Sequence, residues 1–210
     1  MSSAFAEWDR LANVSSMVDV LLSQDGIYDV DEIHDFRTLT GDSVPQWVRR
    51  LYVPEGWRVP DLPPDQAAAV TRLAVAGPRP DGSFEATETL SVFGYTGWVG
   101  FDEVVSGADR SLQDLDADHI TTRVLRLPPV KWAVAVQAEG VAMLGGRRMW
   151  MRQSNYLAGS MSPHAGRLFV HSVMVDDAVR QRWADDVDRL CEAVHQGFIQ
   201  SLNPDGAQSA

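Results

Sequence analysis

Apolar residues recur at steps of three and four near the end of the chain: Val179, Trp183, Val187, Leu190, Val194 and Phe198, with acids and arginines between them. That spacing predicts one long amphipathic helix over Asp177 to Leu202, whose stripe must lie against an apolar floor. The residues just upstream supply that floor. Lys131 to Leu144 reads as a long strand with Trp132, Val134, Val136 and Ala138 on one face. Gly145-Gly146 suits a two-residue turn with positive φ, which only glycine adopts freely. Arg147 to Leu157 then returns, with Trp150 and Tyr156 sharing a face with Arg148, Arg152 and Ser154. A loop from Gly159 to Gly166 leads into a last strand, Arg167 to Val175.

Earlier in the chain the period is two. Thr71, Leu73 and Val75 alternate with Arg72 and Ala74. After the Gly77–Gly82 turn, Phe84, Ala86, Leu90 and Val92 oppose Glu85, Thr87, Thr89 and Ser91. This predicts a hairpin with one wet face, in which Glu88 interrupts the apolar side. A helix is expected over Asp102 to Leu115, and a strand over Ile120 to Leu127 that Pro128-Pro129 closes.

The N-terminal stretch reads as helical. Phe5, Trp8, Leu11, Ala12, Ser15, Val18 and Leu22 share a helical face that Gly26 can end. Asp29-Val30-Asp31-Glu32 has the form of a capping box opening a short helix to about Leu39. Trp47 to Val53 suits either a helical turn after Pro45 or a first strand. Val53 to Pro60, followed by Pro63-Pro64, breaks regular structure. The expected organisation is a helical appendage over 1–52, an α+β domain over 53–202, and a small, polar, disordered tail over 203–210. The fold class is α+β: an antiparallel β-sheet packed by helices, including a long C-terminal helix.

Composition narrows the function classes. Hydrophobic residues make up 45% and charged residues 22%, as in ordinary globular proteins. The net charge of -11 repels phosphate backbones and anionic membranes, so no nucleic-acid partner is expected. Cys191 is the single cysteine, which excludes an intramolecular disulfide and a multi-thiolate zinc site. No apolar run reaches the roughly eighteen residues of a membrane span, and the first residues lack the basic start and apolar core of a secretory signal. The expected location is therefore cytoplasmic.

Candidate chemistry is sparse, and no metal or cofactor is expected. Cys191 and His195 stand four apart on the last helix, a spacing that can build a thiolate nucleophile; Cys191 also abuts Leu190 and Val194, where a thiol serves as a small hydrophobe. His164 sits beside Ser160 and Ser162, but without the strand–turn–helix setting of a nucleophile elbow. The acids from Asp25 to Asp35 fail the EF-hand pattern, with Ile27 and Phe36 at ligand positions. Gly94-Tyr95-Thr96-Gly97-Trp98-Val99-Gly100 is a glycine–aromatic loop between a strand and a helix. It lacks a Walker lysine, and Asp102-Glu103 occupy the place an anion would take. An interaction surface is the better reading. Tyr95 and Trp98, with the Met149-Trp150-Met151 run, are the expected partner-binding residues, since adaptable methionines and tryptophans favour protein contacts.

From Pro54-Glu55-Gly56-Trp57 onward, the order of hairpin, crossover helix, meander and closing helix resembles the Mog1/PsbP-like superfamily over about 53–202. The resemblance implies a mostly non-catalytic role, with no catalytic residues to carry over, as in accessory subunits and chaperones of secreted effectors. The expected function is a cytosolic binding or adaptor protein with a protein partner, acting as a chaperone or accessory factor. The alternative is a helix-grip domain that holds an apolar small molecule beneath the helix, with hydrolase or cyclase activity. Convergence of His171, Arg152 or Tyr156 on a deep enclosed cavity would favour that alternative.

Overall fold

A computed structural model describes residues 33–60, 70–98 and 100–202. Eight antiparallel strands form one sheet: β1 Ile33–Thr38, β2 Trp57–Arg58, β3 Arg72–Pro78, β4 Phe84–Gly97, β5 Asp118–Val124, β6 Ala133–Leu144, β7 Arg147–Ala158 and β8 Gly166–Asp176. Their order across the sheet is β2-β3-β4-β8-β7-β6-β5. The long β4 carries two neighbours on one edge: β3 pairs its first half and β1 its second. Short helices follow Pro45 (α1, Gln46–Arg49) and β4 (α2, Phe101–Ser106; α3, Arg110–Gln113). A 3-10 turn, Asp177–Val179, then leads into the long α4, Arg180–Ser201.

Directly opposed residues share a face of a sheet, so the register divides the strands into two sides. On one side α4 lays Val194, Phe198 and Leu202 over Leu90, Val92, Tyr156 and Phe169. Further along, Val187, Leu190 and Cys191 cover Ala74, Ala86, Trp150, Val173 and Val175. On the other side Val104 and Ala108 pack on Tyr95, Val136, Leu157 and Leu168, and Leu112 packs on Ala138, Met151 and Met174. With both faces covered, the expected wet face of the β3–β4 hairpin is not wet: Thr87 and Ser91 are buried.

The meander and α4 follow the sequence pattern closely. Gly145 and Gly146 both take positive φ, 57° and 77°, as the tight β6–β7 turn requires. Trp47 lies in a helix after Pro45, which resolves that stretch as helical. Further expectations need correction, and the helix expected over Asp102 to Leu115 is two short helices instead of one. The helix expected to run to Leu39 is a strand over Ile33–Thr38 paired with β4. The physical reason is a bulge: Asp35 has φ 58° and the register slips between His34 and Arg37. The extra residue returns Ile33 and Phe36 to one face, where both pack beside Phe93 and Tyr95, and three-residue spacing mimics a helix. The glycine–aromatic stretch is likewise not a loop through Gly97, because β4 continues to that residue.

Residues 39–51 join the same core, with Leu39, Val44 and Val48 buried beside Phe198. The helix expected over Phe5–Leu22, the capping box at Asp29–Glu32 and the tail 203–210 lie outside the described residues.

Candidate functional site

The side of the sheet beneath α4 carries an unusual polar row. Arg72, Leu90, His171, Ser154, Gln137 and Arg123 stand directly opposite one another on β3, β4, β8, β7, β6 and β5. Glu88, one step along the same face of β4, bridges two of them. Its carboxylate accepts from Arg72 Nε at 3.0 Å and lies 3.2 Å from His171 Nε2. Arg72 is held in turn by the carbonyls of Leu51 and Tyr52, at 2.9 and 2.8 Å. On the far side, Gln137 donates to Ser154 Oγ and accepts from Arg123 Nε, each at 2.9 Å.

A second cation meets the row from β7. Arg152 pairs with Glu139 through Nε and with Asp188 of α4 through Nη1, both at 2.8 Å, and Nη1 also lies 3.8 Å from Cys191 Sγ. Cys191 thus stands between Arg152 and His171 on the sheet-facing side of α4. Desolvation opposes a charged imidazole at His171, but the Cys191 sulfur and the Glu88 carboxylate outweigh it and raise its pKa to about 9. The sulfur biases the imidazole without the geometry of a formed hydrogen bond, and Nδ1 has no hydrogen-bond partner. Burial opposes ionisation of Glu88 as well, yet His171 and Arg72 hold its pKa below 4.5. Burial pushes the Tyr156 hydroxyl upward.

Chemically, thiol, imidazole and carboxylate stand in the order used for covalent catalysis. Access decides against a bulky substrate in this conformation. Glu88 is 0% exposed, His171 1% and Cys191 8%. Tyr156, Phe169, Leu90, Val194 and Phe198 occupy the space under the helix where a helix-grip domain would hold its ligand. An open groove lies instead on the outer flank of α4, about 380 Å³ in volume, lined by Trp47, Arg50, Tyr52, Gln196, Gly197 and Gln200 among others. Gly197 is required there, since a Cβ would meet the Trp47 ring at 2.3 Å.

Several residues expected at a partner surface are interior. Tyr95 is buried opposite Gly166, where a Cβ would come within 2.8 Å of the ring. Trp150 is buried with the guanidinium groups of Arg180 and Arg152 over its ring, 4.1 and 5.0 Å from the centroid. Met151 is buried against Leu112 and Met174. Trp98 lies against Gly159, partly exposed, and Met149 is also partly exposed. His195 faces Tyr156 with ring centroids 5.9 Å apart, while Cys191 meets His171 and Arg152 from the sheet. Glu88 and Arg72 were missed as site residues. The one signal in sequence was that Glu88 interrupts an otherwise apolar face.

The architecture defines a class: one antiparallel sheet clasped on one face by a long C-terminal helix and on the other by short helices. It is similar to the solved structure of LpqN, a protein involved in cell envelope biogenesis of Mycobacterium tuberculosis. The TM-score is 0.61 at 16% identity, covering 84% of this chain and 94% of LpqN, and the likeness is one of fold. No protein-family model matches the chain, and no curated protein does. Among the described residues no helix is long and apolar enough to cross a membrane.

Proposed function

We propose that this chain is a non-catalytic binding or adaptor protein that serves a partner protein as an accessory factor or chaperone, in the cytoplasm. One observation carries the reading: the protein's own side chains fill the space beneath α4, so recognition falls to the outside of the fold. The groove between α1 and α4 offers rings, amide groups and Arg50 to a partner, and Tyr52 at its rim is 50% exposed. The order of elements supports the resemblance to the Mog1/PsbP-like superfamily. The fold is shared with LpqN, a protein involved in cell envelope biogenesis.

The test is affinity capture of the tagged chain from its native host, with mass spectrometry of proteins and extracted small molecules. A stoichiometric protein partner is expected with the wild type and is expected to be lost with Tyr52→Arg, whose exposed side chain can change without disturbing the core. Recovery of one lipid or metabolite per chain, with no protein, overturns the reading. That outcome would favour the helix-grip alternative, which needs a cavity where Tyr156, Phe169 and Phe198 now pack.

A further inference from the structure

We propose that Cys191 is an oxidant-reactive thiol, converted by hydrogen peroxide to a sulfenic acid within the folded chain, with Arg152 and His171 as its positioning residues. The inference stands apart from the binding reading and rests on the polar cluster beneath α4.

Three observations converge. First, the sulfur lies at the margin of the helix–sheet interface, 8% exposed, with the Arg152 guanidinium 3.8 Å away. A molecule of the size of peroxide can reach it, whereas a protein thiol or a bulky electrophile cannot. Second, the sulfur lies between cationic groups that are themselves held in place. Arg152 is fixed by Glu139 and Asp188, and His171 by Glu88. Such groups receive the negative charge that develops as sulfur attacks and the O–O bond breaks. Third, His171 has a ring nitrogen without a partner. Nε2 is engaged by Glu88, and Nδ1 makes no hydrogen bond although the residue is only 1% exposed. A polar atom buried without a partner is costly. A sulfenic acid at Cys191 both donates and accepts, and supplies the partner this nitrogen lacks.

The step balances. A sulfur lone pair attacks one peroxide oxygen, an S–O bond forms and the O–O bond breaks. The departing hydroxide takes the proton released by the thiol and leaves as water. Sulfur is oxidised by two electrons and peroxide is reduced by two. The chain contains one cysteine, so no internal thiol can convert the product to a disulfide. The sulfenic acid therefore persists until a small external thiol reaches it.

The single cysteine also makes the test unambiguous. The full chain is treated with hydrogen peroxide, timed samples are cleared of peroxide with catalase and unfolded in urea containing dimedone, and the adduct is read by intact mass. The native chain is expected to react about tenfold faster than the same chain unfolded in urea at the same pH, because Arg152 and His171 are held where charge develops on attack. Cys191→Ser should give no adduct. Arg152→Gln should lose most of the acceleration and Arg152→Lys should keep it, a rescue that a purely structural role would not produce. A native rate no higher than the unfolded rate overturns the proposal, and this comparison needs no variant to fold. A wild-type rate in Arg152→Gln overturns the role given to that residue.

Discussion

The two faces of this sheet solve the problem of buried polarity in opposite ways. Beneath α4 charged groups cluster, Arg72, Glu88, His171 and Arg152 with the carboxylates of Glu139 and Asp188, beside the neutral pair Gln137 and Ser154. Beneath α2 and α3 the polar groups are neutral hydroxyls and amides: Ser111 donates to Gln153 at 2.9 Å, Gln153 to Asn155 at 3.4 Å, and Ser172 to Gln153 at 3.5 Å. Charges are expensive to bury and strongly bound once paired, so they fix which part of the helix meets which strand. Neutral groups cost less to bury, and the Thr87 hydroxyl and the Asn155 amide nitrogen lack partners, as His171 Nδ1 does on the other face. The fold's specificity therefore resides mainly under the long helix, where the charges are paired.

Glu88→Ala should have the largest effect, because it leaves Arg72 and His171 without their shared carboxylate. We expect a loss of about 3–5 kcal/mol, read by urea unfolding. Next comes pH. His171 has a folded pKa of about 9, above its ordinary 6.5, so its contribution is complete below about pH 6.5 and is lost as pH rises through about 9. Glu88 acts in the opposite sense: its depressed pKa contributes stability above about pH 4.5 that is lost as pH falls further. Thermal unfolding across this range should show a maximum between the two limits, and stability that stays flat from pH 6.5 to 9.5 would refute the charged imidazole.

Smaller effects belong to the neutral face. Ser111→Ala should cost about 1 kcal/mol, the net value of one hydrogen bond, with little dependence on pH. Thr87→Val should fall within about 1 kcal/mol of wild type and on the stabilising side, since it removes a buried hydroxyl that has no partner. A loss of several kcal/mol at Thr87 would mean that the two faces are not as different as their chemistry implies.

Legibility in the sequence follows the range of the interaction. The meander and α4 were readable because their periods are local: two along β6, β7 and β8, three to four along the helix, with Gly145-Gly146 marking a turn. Strand β1 was not, because its bulge gives Ile33 and Phe36 a helical interval. The polar cluster was half legible. His171, Arg152 and Tyr156 stood out as groups that could converge, yet Cys191 read most simply against His195, its neighbour by helical spacing. Its actual companions come from β8 and β7, and no local pattern encodes that pairing. Glu88 looked like a defect in an apolar face until Arg72 and His171 gave it a purpose, and both lie on neighbouring strands. The buried tryptophan and tyrosine misled for a related reason: the guanidinium groups over Trp150 and the glycine opposite Tyr95 are long-range accommodations.

One feature of the strand order governs how the molecule is made. Strand β4 is 14 residues long, and its inner edge pairs from Ala86 to Tyr95 with β8, which begins only at Gly166. A ribosome that has delivered the β3–β4 hairpin must still deliver β5, β6 and β7 before that edge is covered. Through this interval the nascent chain presents a long run of open hydrogen-bonding groups flanked by apolar side chains, the kind of template on which unfinished chains aggregate. Closure arrives with β8 and is locked by the helix that follows it. Truncation just before Gly166 therefore leaves a sticky fragment, and truncation within α4 a sheet without its clasp.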